Sequence, residues 1–142
     1  MDFSLELTSR CDAENRKAIL NPLLEYNKSQ VGDPEYIPLN VLVKDDNEKV
    51  AGGLWGHTAY GWLVIDLLFL PERLRGRGVA SSILLKAESE AVVRDCTNAW
   101  VDTHEFQARG FYENNGYSVF GELPDYPIGQ ARYFMCKSLN NI

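Results

Sequence analysis

Residues 68–80 of the chain read Leu68-Phe69-Leu70-Pro71-Glu72-Arg73-Leu74-Arg75-Gly76-Arg77-Gly78-Val79-Ala80. An apolar run from Trp62 precedes this turn and ends at Pro71, which is typical of a central strand buried on both faces. From about Val79 to Arg94 apolar residues recur at helical spacing, so an amphipathic helix is predicted there. The stretch therefore predicts a buried strand, a glycine-containing turn and a helix.

The turn has the chemistry of an anion site. The first amides of a helix lack internal partners, and the helix dipole adds partial positive charge at the same end. Gly76 and Gly78 would let a phosphate approach the backbone closely, and Arg75 and Arg77 add full charges. These features predict a pyrophosphate site, with a plain glycine turn as the structural alternative.

Two common phosphate motifs fit the turn poorly. A Walker A loop requires Gly-Lys-Ser/Thr after the turn, and the chain has none there. A dinucleotide fingerprint requires a third glycine, and Ser81 stands in that position. Its acidic ribose partner would fall near Asp95 or Asp102, of which Asp95 is better explained as a helix end.

The remaining sequence predicts a mixed α/β layer fold in a single domain spanning residues 1–142. Alternation over residues 3–7 predicts a first strand, and Asp12 caps a helix that breaks or restarts at Pro22. The order is β-α-β-β-β-α-β-α-β-β. The later elements are a hairpin from Val41 to Trp55, a strand at Ala99 to Val101, a helix from Phe106 to Asn115, and strands at Tyr117 to Val119 and Arg132 to Cys136.

Composition limits the classes of function. The 142 residues carry 14 Lys and Arg against 20 Asp and Glu, a net charge of −6, which disfavours nucleic-acid binding and suits a cationic small partner. No signal peptide and no membrane span are recognised, so a cytoplasmic location is expected. Cys11, Cys96 and Cys136 lie far apart, and the two histidines form no ligand cluster, so we expect neither disulfides nor a metal.

Two motifs carry a family resemblance. Arg73-x-x-Gly76-x-Gly78 resembles the acetyl-CoA signature of the GCN5-related N-acetyltransferase (GNAT) family, and Ala108-x-x-Phe111-Tyr112-x-x-x-Gly116-Tyr117 looks like its later signature. The run from Asp102 to Ala108 resembles a short bacterial subgroup with Thr-x-x-Phe-Gln-Ala before Phe-Tyr. The resemblance covers about Val50 to Leu139.

The resemblance implies a GNAT fold, with a mixed sheet of about seven strands splayed between strands 4 and 5 and helices on both faces. It implies an N-acetyltransferase (EC 2.3.1.-) with acetyl-CoA as cosubstrate and a small-molecule amine as acceptor. Tyr112 would be the general acid toward the departing thiolate. The implied cofactor-binding residues are Leu68, Phe69, Leu70, Arg75, Gly76, Arg77, Gly78, Val79 and Ala80.

Two positions depart from the family pattern. Glu105 replaces a frequent asparagine, which puts one cofactor contact in doubt, and Gln130 replaces a histidine after Pro-x-Gly, which removes a base there. Two other residues are candidate catalytic bases. Asp66 is the one charge within an apolar strand, and position 104 carries a histidine, the residue type best suited to exchange a proton near neutral pH. His57 is placed in a loop. Glu6, Glu35 or a water chain stay open as bases.

The acceptor pocket is expected between the first helix region and the loop before the last strand. Aromatic and acidic residues there suit a cationic amine; the predicted substrate residues are Tyr26, Tyr36, Asp125 and Tyr126. Ordinary loop decoration is the alternative explanation. The alternative functions are a non-catalytic CoA-binding regulatory module and a protein acetyltransferase acting on lysine or an N-terminus. The resemblance also suggests a homodimer.

Overall fold

The computed structural model describes residues 2–140, in two units, Met1–Pro34 and Glu35–Ile142. In the first unit, helix α1 (Ala13–Val31) begins after Asp12, whose carboxylate accepts hydrogen bonds from the amides of Glu14 and Asn15. The capping prediction is confirmed.

Two other predictions for the first unit are wrong. No strand forms over residues 3–7, because a strand needs a neighbour to take its hydrogen bonds and this unit contains no other strand among its described residues. The break at Pro22 is also absent. Pro22 lies inside a continuous helix, since the hydrogen bonds on both sides of the missing donor are enough to keep it whole.

Within residues 35–140 the second unit is a six-stranded sheet with two α-helices and one short 3-10 helix, Glu72–Leu74. The other elements are β1 (Ile37–Lys44), β2 (Val50–Ala59), β3 (Trp62–Phe69), α2 (Val79–Val93), β4 (Asn98–His104), α3 (Arg109–Asn114), β5 (Ser118–Leu123) and β6 (Arg132–Ser138). The strand order is β1-β2-β3-β4-β6-β5, and only β3 and β4 are parallel among these neighbours. The mixed α/β fold is confirmed, with six strands where about seven were expected.

The core of this unit lies on one face of the sheet. Alternate residues of the central strands, such as Leu63, Ile65 and Val101, are buried together with Leu84 of α2 and Tyr112 of α3. Both helices of the unit therefore contribute to the same core. On the opposite face Trp62, Trp100 and Phe134 are partly exposed. Helices on both faces stay a prediction.

One buried carboxylate ties α2 to the last strand. Glu88 is 2% exposed; the Tyr117 hydroxyl donates to its Oε2 at 2.7 Å, and Lys137 Nζ donates to its Oε1 at 2.9 Å. Removing a buried charge from water is costly unless partners replace the lost hydration. The two donors provide that compensation, so the network fixes Tyr117 against α2.

We expect Lys137→Met to destabilise the protein, because it leaves Glu88 buried without its countercharge. The loss should be about 3 kcal/mol in the free energy of unfolding, measured by urea denaturation. Lys44→Met is the matched control. Its ion pair with Glu48 spans 3.6 Å between exposed side chains, so the change should cost less than about 1 kcal/mol. Equal effects of the two substitutions would contradict this account.

Candidate active site

The cleft begins where the two parallel strands part. Trp62–Ile65 of β3 pairs with Asn98–Val101 of β4, but β3 continues to Phe69 and β4 to His104 without pairing with each other. A cavity of about 890 Å³ lies at this separation, and both strands line it. The predicted separation of the two central strands is confirmed.

The edge of β3 forms one wall of the cleft. Leu68, Phe69 and Leu70 all line the cavity, as the sequence predicts for a segment that meets an extended ligand. The Leu70 carbonyl is already in use, since it accepts a hydrogen bond from Arg75 Nε at 2.9 Å. The arginine therefore fastens the turn to the end of the strand.

The glycine turn presents a row of free amides. Gly76 and Gly78 have φ of 74° and 76°, in the left-handed region that favours glycine. The first helical hydrogen bond is donated by Ser82 to the Gly78 carbonyl. Consequently the six amides from Gly76 to Ser81 donate to no acceptor within residues 2–140.

The row fits an anion such as a pyrophosphate. Gly76, Gly78, Val79, Ala80 and Ser81 all line the cavity, at the positive end of the α2 dipole. Arg77 is the one predicted residue of the turn that does not line the cavity. Its guanidinium makes no ion pair or hydrogen bond within the described part of the chain, which leaves it able to neutralise an anion bound beside it.

Tyr112 lies on the wall formed by α3. Its side chain is buried, lines the cavity, and contacts the rings of Phe111 and Tyr117 edge to face at 5.1 and 5.6 Å. Its hydroxyl makes no hydrogen bond among residues 2–140. Burial, with a smaller contribution from the charge of Asp102, raises the pKa of Tyr112 to about 12. The phenol therefore stays protonated and can donate to a ligand in the cleft.

Asp66 lies at the point where β3 leaves β4. Trp55 of β2 pairs with Leu67 and the next residue, Gly56, pairs with Ile65, so Asp66 is the extra residue of a β-bulge. Its side chain is 47% exposed and lines the cavity. The carboxylate is accessible both to the cleft and to water.

His104 ends β4, one residue beyond the part of that strand that lines the cavity. Its Nδ1 lies 2.8 Å from the Tyr126 carbonyl oxygen, and its ring stacks on Phe106 at 5.1 Å. A carbonyl accepts only, so Nδ1 carries the hydrogen and the Nε2 lone pair is left as the basic position. Phe106, not His104 itself, lines the cavity.

The predicted substrate residues fall in three places. Tyr36 stacks on His57 at 4.5 Å, and Tyr126 lies 5.7 Å from His104. Asp125 accepts a hydrogen bond from the Gly129 amide, which gives it a role within its own turn. Tyr26 belongs to α1 in the other unit. The structure thus brings Tyr36 and Tyr126 to the two histidines.

Sequence reasoning missed two features of the site. His57 was expected in a loop but lies within β2, because that strand continues to Ala59 by pairing with Trp62–Val64. Asp102 was considered only as a ribose partner; instead Arg132 Nε donates to its Oδ2 at 2.7 Å.

Glu105, where the family pattern has asparagine, serves the local backbone. Its Oε2 accepts a hydrogen bond from the Ala131 amide at 2.7 Å, which links the end of β4 to the start of β6. Within the described residues no group of three or more His, Cys, Asp or Glu side chains could hold a metal ion. No helix among them is long and apolar enough to cross a membrane.

Comparisons with known proteins agree with this geometry. The model of the acetyltransferase (GNAT) family matches residues 5–117. Acetyltransferase Atu2258 of Agrobacterium fabrum is 42% identical over 125 residues, 88% of this chain and 91% of that protein. Blasticidin-S acetyltransferase of Streptomyces morookaense is 39% identical over 92 residues, 64% of this chain and 68% of that protein.

A crystal structure of a proposed acetyltransferase from Agrobacterium tumefaciens matches with a TM-score of 0.92 and 40% identity, over 96% of this chain and 99% of that one. Fold and cleft together define an α/β protein with a ligand cleft between two parted parallel strands. The chain belongs to the GNAT acetyltransferase family.

We expect the raised pKa of Tyr112 to appear as a loss of stability in alkali. Between pH 9 and pH 11 an unfolded tyrosine ionises near pH 10 while folded Tyr112 keeps its proton, so the unfolded state is favoured as pH rises. This group alone should lower the free energy of unfolding by about 1.3 kcal/mol over that range. Urea denaturation measures this loss. Between pH 9 and pH 11 the free energy of unfolding of Tyr112→Phe should fall by about 1.3 kcal/mol less than that of the wild type. Tyr26→Phe, at an exposed position, should lose as much stability as the wild type.

Proposed function

We propose that the protein transfers the acetyl group of acetyl-CoA to the primary amine of a cationic small molecule. The observation that carries the proposal is the cavity itself, which is lined by the glycines of the turn and the first residues of α2, by Tyr112 and by Asp66. A phosphate-bearing thioester and an amine need these three kinds of group.

Each residue has a defined part in the proposed transfer. The amine nitrogen bonds to the acetyl carbon as the carbon–sulfur bond breaks, and the amine loses one proton. Asp66 accepts that proton, directly or through water, because its half-exposed carboxylate reaches both the cleft and solvent. Tyr112 donates a hydrogen bond to the leaving sulfur, and the resulting thiolate takes up a proton from solvent to give the thiol product.

Tyr112 is better suited to donate a hydrogen bond to the leaving sulfur than to act as a general acid. A thiol has a pKa near 8.5, so full transfer of a proton from a phenol with a pKa of about 12 is uphill by roughly 5 kcal/mol. A hydrogen bond to the developing thiolate needs no such transfer. The phenol therefore keeps its proton, and the departing thiolate is protonated by solvent, into which Asp66 releases the proton taken from the amine.

The acceptor class follows from charge and from one relative. The carboxylate of Asp66 and the aromatic ring of Tyr36 both favour a cation near the mouth of the cleft. Blasticidin-S acetyltransferase, whose name gives blasticidin S as its substrate, matches 64% of this chain. Blasticidin S is therefore the first acceptor to test, beside simple diamines and a lysine peptide.

We expect acetyl-CoA to bind with micromolar affinity in isothermal titration calorimetry. Arg77→Ala should weaken binding about tenfold, roughly 1.4 kcal/mol, because it removes the unpaired charge beside the amide row. Lys86→Ala is the control, since it deletes one exposed cation from α2 about two turns beyond the amide row. Absence of binding at millimolar ligand would contradict the proposed cosubstrate.

Turnover, followed by thiol release with saturating acetyl-CoA, tests the catalytic roles. Tyr112→Phe should lower kcat about 100-fold and leave the Kd for acetyl-CoA unchanged, because the ring and its packing are kept. Asp66→Asn should lower kcat by about 10² to 10⁴ as the proton acceptor is lost. If His104→Gln shows this decrease in kcat and Asp66→Asn stays active, His104 is the base instead. Transfer to the peptide alone would contradict a small-molecule acceptor.

A further inference from the structure

His57 and Asp66 form a pair at the mouth of the cleft. His57 lies on β2 opposite Val64, and its Nδ1 is 3.5 Å from Asp66 Oδ2 on the adjacent strand. The His57 side chain is 19% exposed, whereas that of Asp66 is 47% exposed. The imidazole thus stands behind the carboxylate, on the more buried side.

The hydrogen-bonding state of His57 is unusual. Its Nδ1 is buried and makes no hydrogen bond within the described residues. Among those residues it is the only buried side-chain nitrogen or oxygen without a hydrogen-bond partner. A buried polar atom without a partner costs free energy, so it needs an explanation. Asp66 is the carboxylate within reach, and a small rotation of either side chain would close the hydrogen bond.

The backbone holds His57 in this position. Gly56 precedes it at the bulge, and a Cβ there would lie 2.3 Å from the Val64 carbonyl oxygen, so the two strands approach too closely for any other residue. The Gly56 amide donates to Asn40 Oδ1 at 3.1 Å. The Tyr36 ring stacks on the imidazole with an interplanar angle of 26°. These contacts restrain the ring, while Asp66 remains free to turn.

We propose that His57 is a positioning residue for Asp66: its Nδ1–H donates to the carboxylate when the cleft is occupied and directs the other oxygen toward the acceptor amine. The inference rests on the proposed role of Asp66 as proton acceptor. Catalytic hydrogen bonds are often long before substrate binds, which agrees with the 3.5 Å separation. The restrained imidazole removes orientations of the half-exposed carboxylate that do not face the cleft.

Two substitutions at position 57 test the pair. His57→Phe keeps a ring to stack on Tyr36 and lacks the donor, whereas His57→Asn places an amide nitrogen near the position of Nδ1. We expect His57→Phe to lower kcat about tenfold with the KM for acetyl-CoA unchanged, and His57→Asn to recover most of that loss. Thermal unfolding of both variants monitors the fold.

A double-mutant cycle with Asp66→Asn separates a positioning role from a structural one. If His57 acts through Asp66, adding His57→Phe to Asp66→Asn changes kcat by less than twofold. A full tenfold further loss in the double variant would overturn the proposal. The proposal would also be overturned if His57→Phe kept the wild-type kcat while Asp66→Asn was impaired. Unimpaired turnover in Asp66→Asn would overturn it as well.

A spectroscopic test does not depend on turnover. In ¹⁵N–¹H correlation spectra of the imidazoles with CoA bound, His57 should be the Nδ1–H tautomer, and Asp66→Asn should shift its Nδ1 resonance while leaving that of His104 in place. The opposite tautomer, or a resonance indifferent to Asp66→Asn, would overturn the inference even if no acceptor is found. Absence of turnover with a normal His57 signal would count against the proposed function alone.

Discussion

The site depends on the parting of β3 from β4. Up to Ile65 and Val101 the two strands share hydrogen bonds; beyond them each keeps only its outer neighbour, β2 or β6. Backbone amides and carbonyls along the facing edges then need other partners. The bulge at Asp66 falls at this point and turns the strand away. One irregularity in the sheet therefore supplies the cavity, a polar strand edge within it, and a carboxylate at its mouth.

The charges close to the cleft, rather than the net charge of the chain, favour the binding of an anion there. The chain carries −6 overall, yet the turn before α2 brings together the Arg77 guanidinium and six amides that have no acceptor among residues 2–140. Since exposed charges are screened over about 8–10 Å, an anion at the turn responds to these groups more than to distant carboxylates. Where the strands part, Asp66 and Asp102 line the same cavity. The cleft thus offers donors for phosphate and acceptors for an amine.

Local sequence patterns account for most of the correct predictions, and strand pairing accounts for the two errors that concern strands. The glycine turn, the helix after it and Tyr112 follow from residues close in sequence, so they could be recognised directly. His57 could not, because the length of β2 is set by its pairing with Trp62–Val64. Alternation at residues 3–7 predicted a strand, but the described residues of that unit contain no other strand to pair with it. The candidate base Asp66 was identified by its charge, but its bulge becomes visible only in the register of two strands.

Tyr112 links the stability of the core to the chemistry of the cleft. Glu88 is buried at a cost that its contacts with Lys137 and Tyr117 offset, and the Tyr117 ring fixed by that network packs edge to face on Tyr112. The same burial that raises the pKa of Tyr112 weakens it as an acid. It also keeps the hydroxyl protonated at every physiological pH, with no hydrogen bond to a neighbour among the described residues. In the proposed transfer, a donor of this kind stabilises the charge that develops on the leaving sulfur without reorganising at that moment.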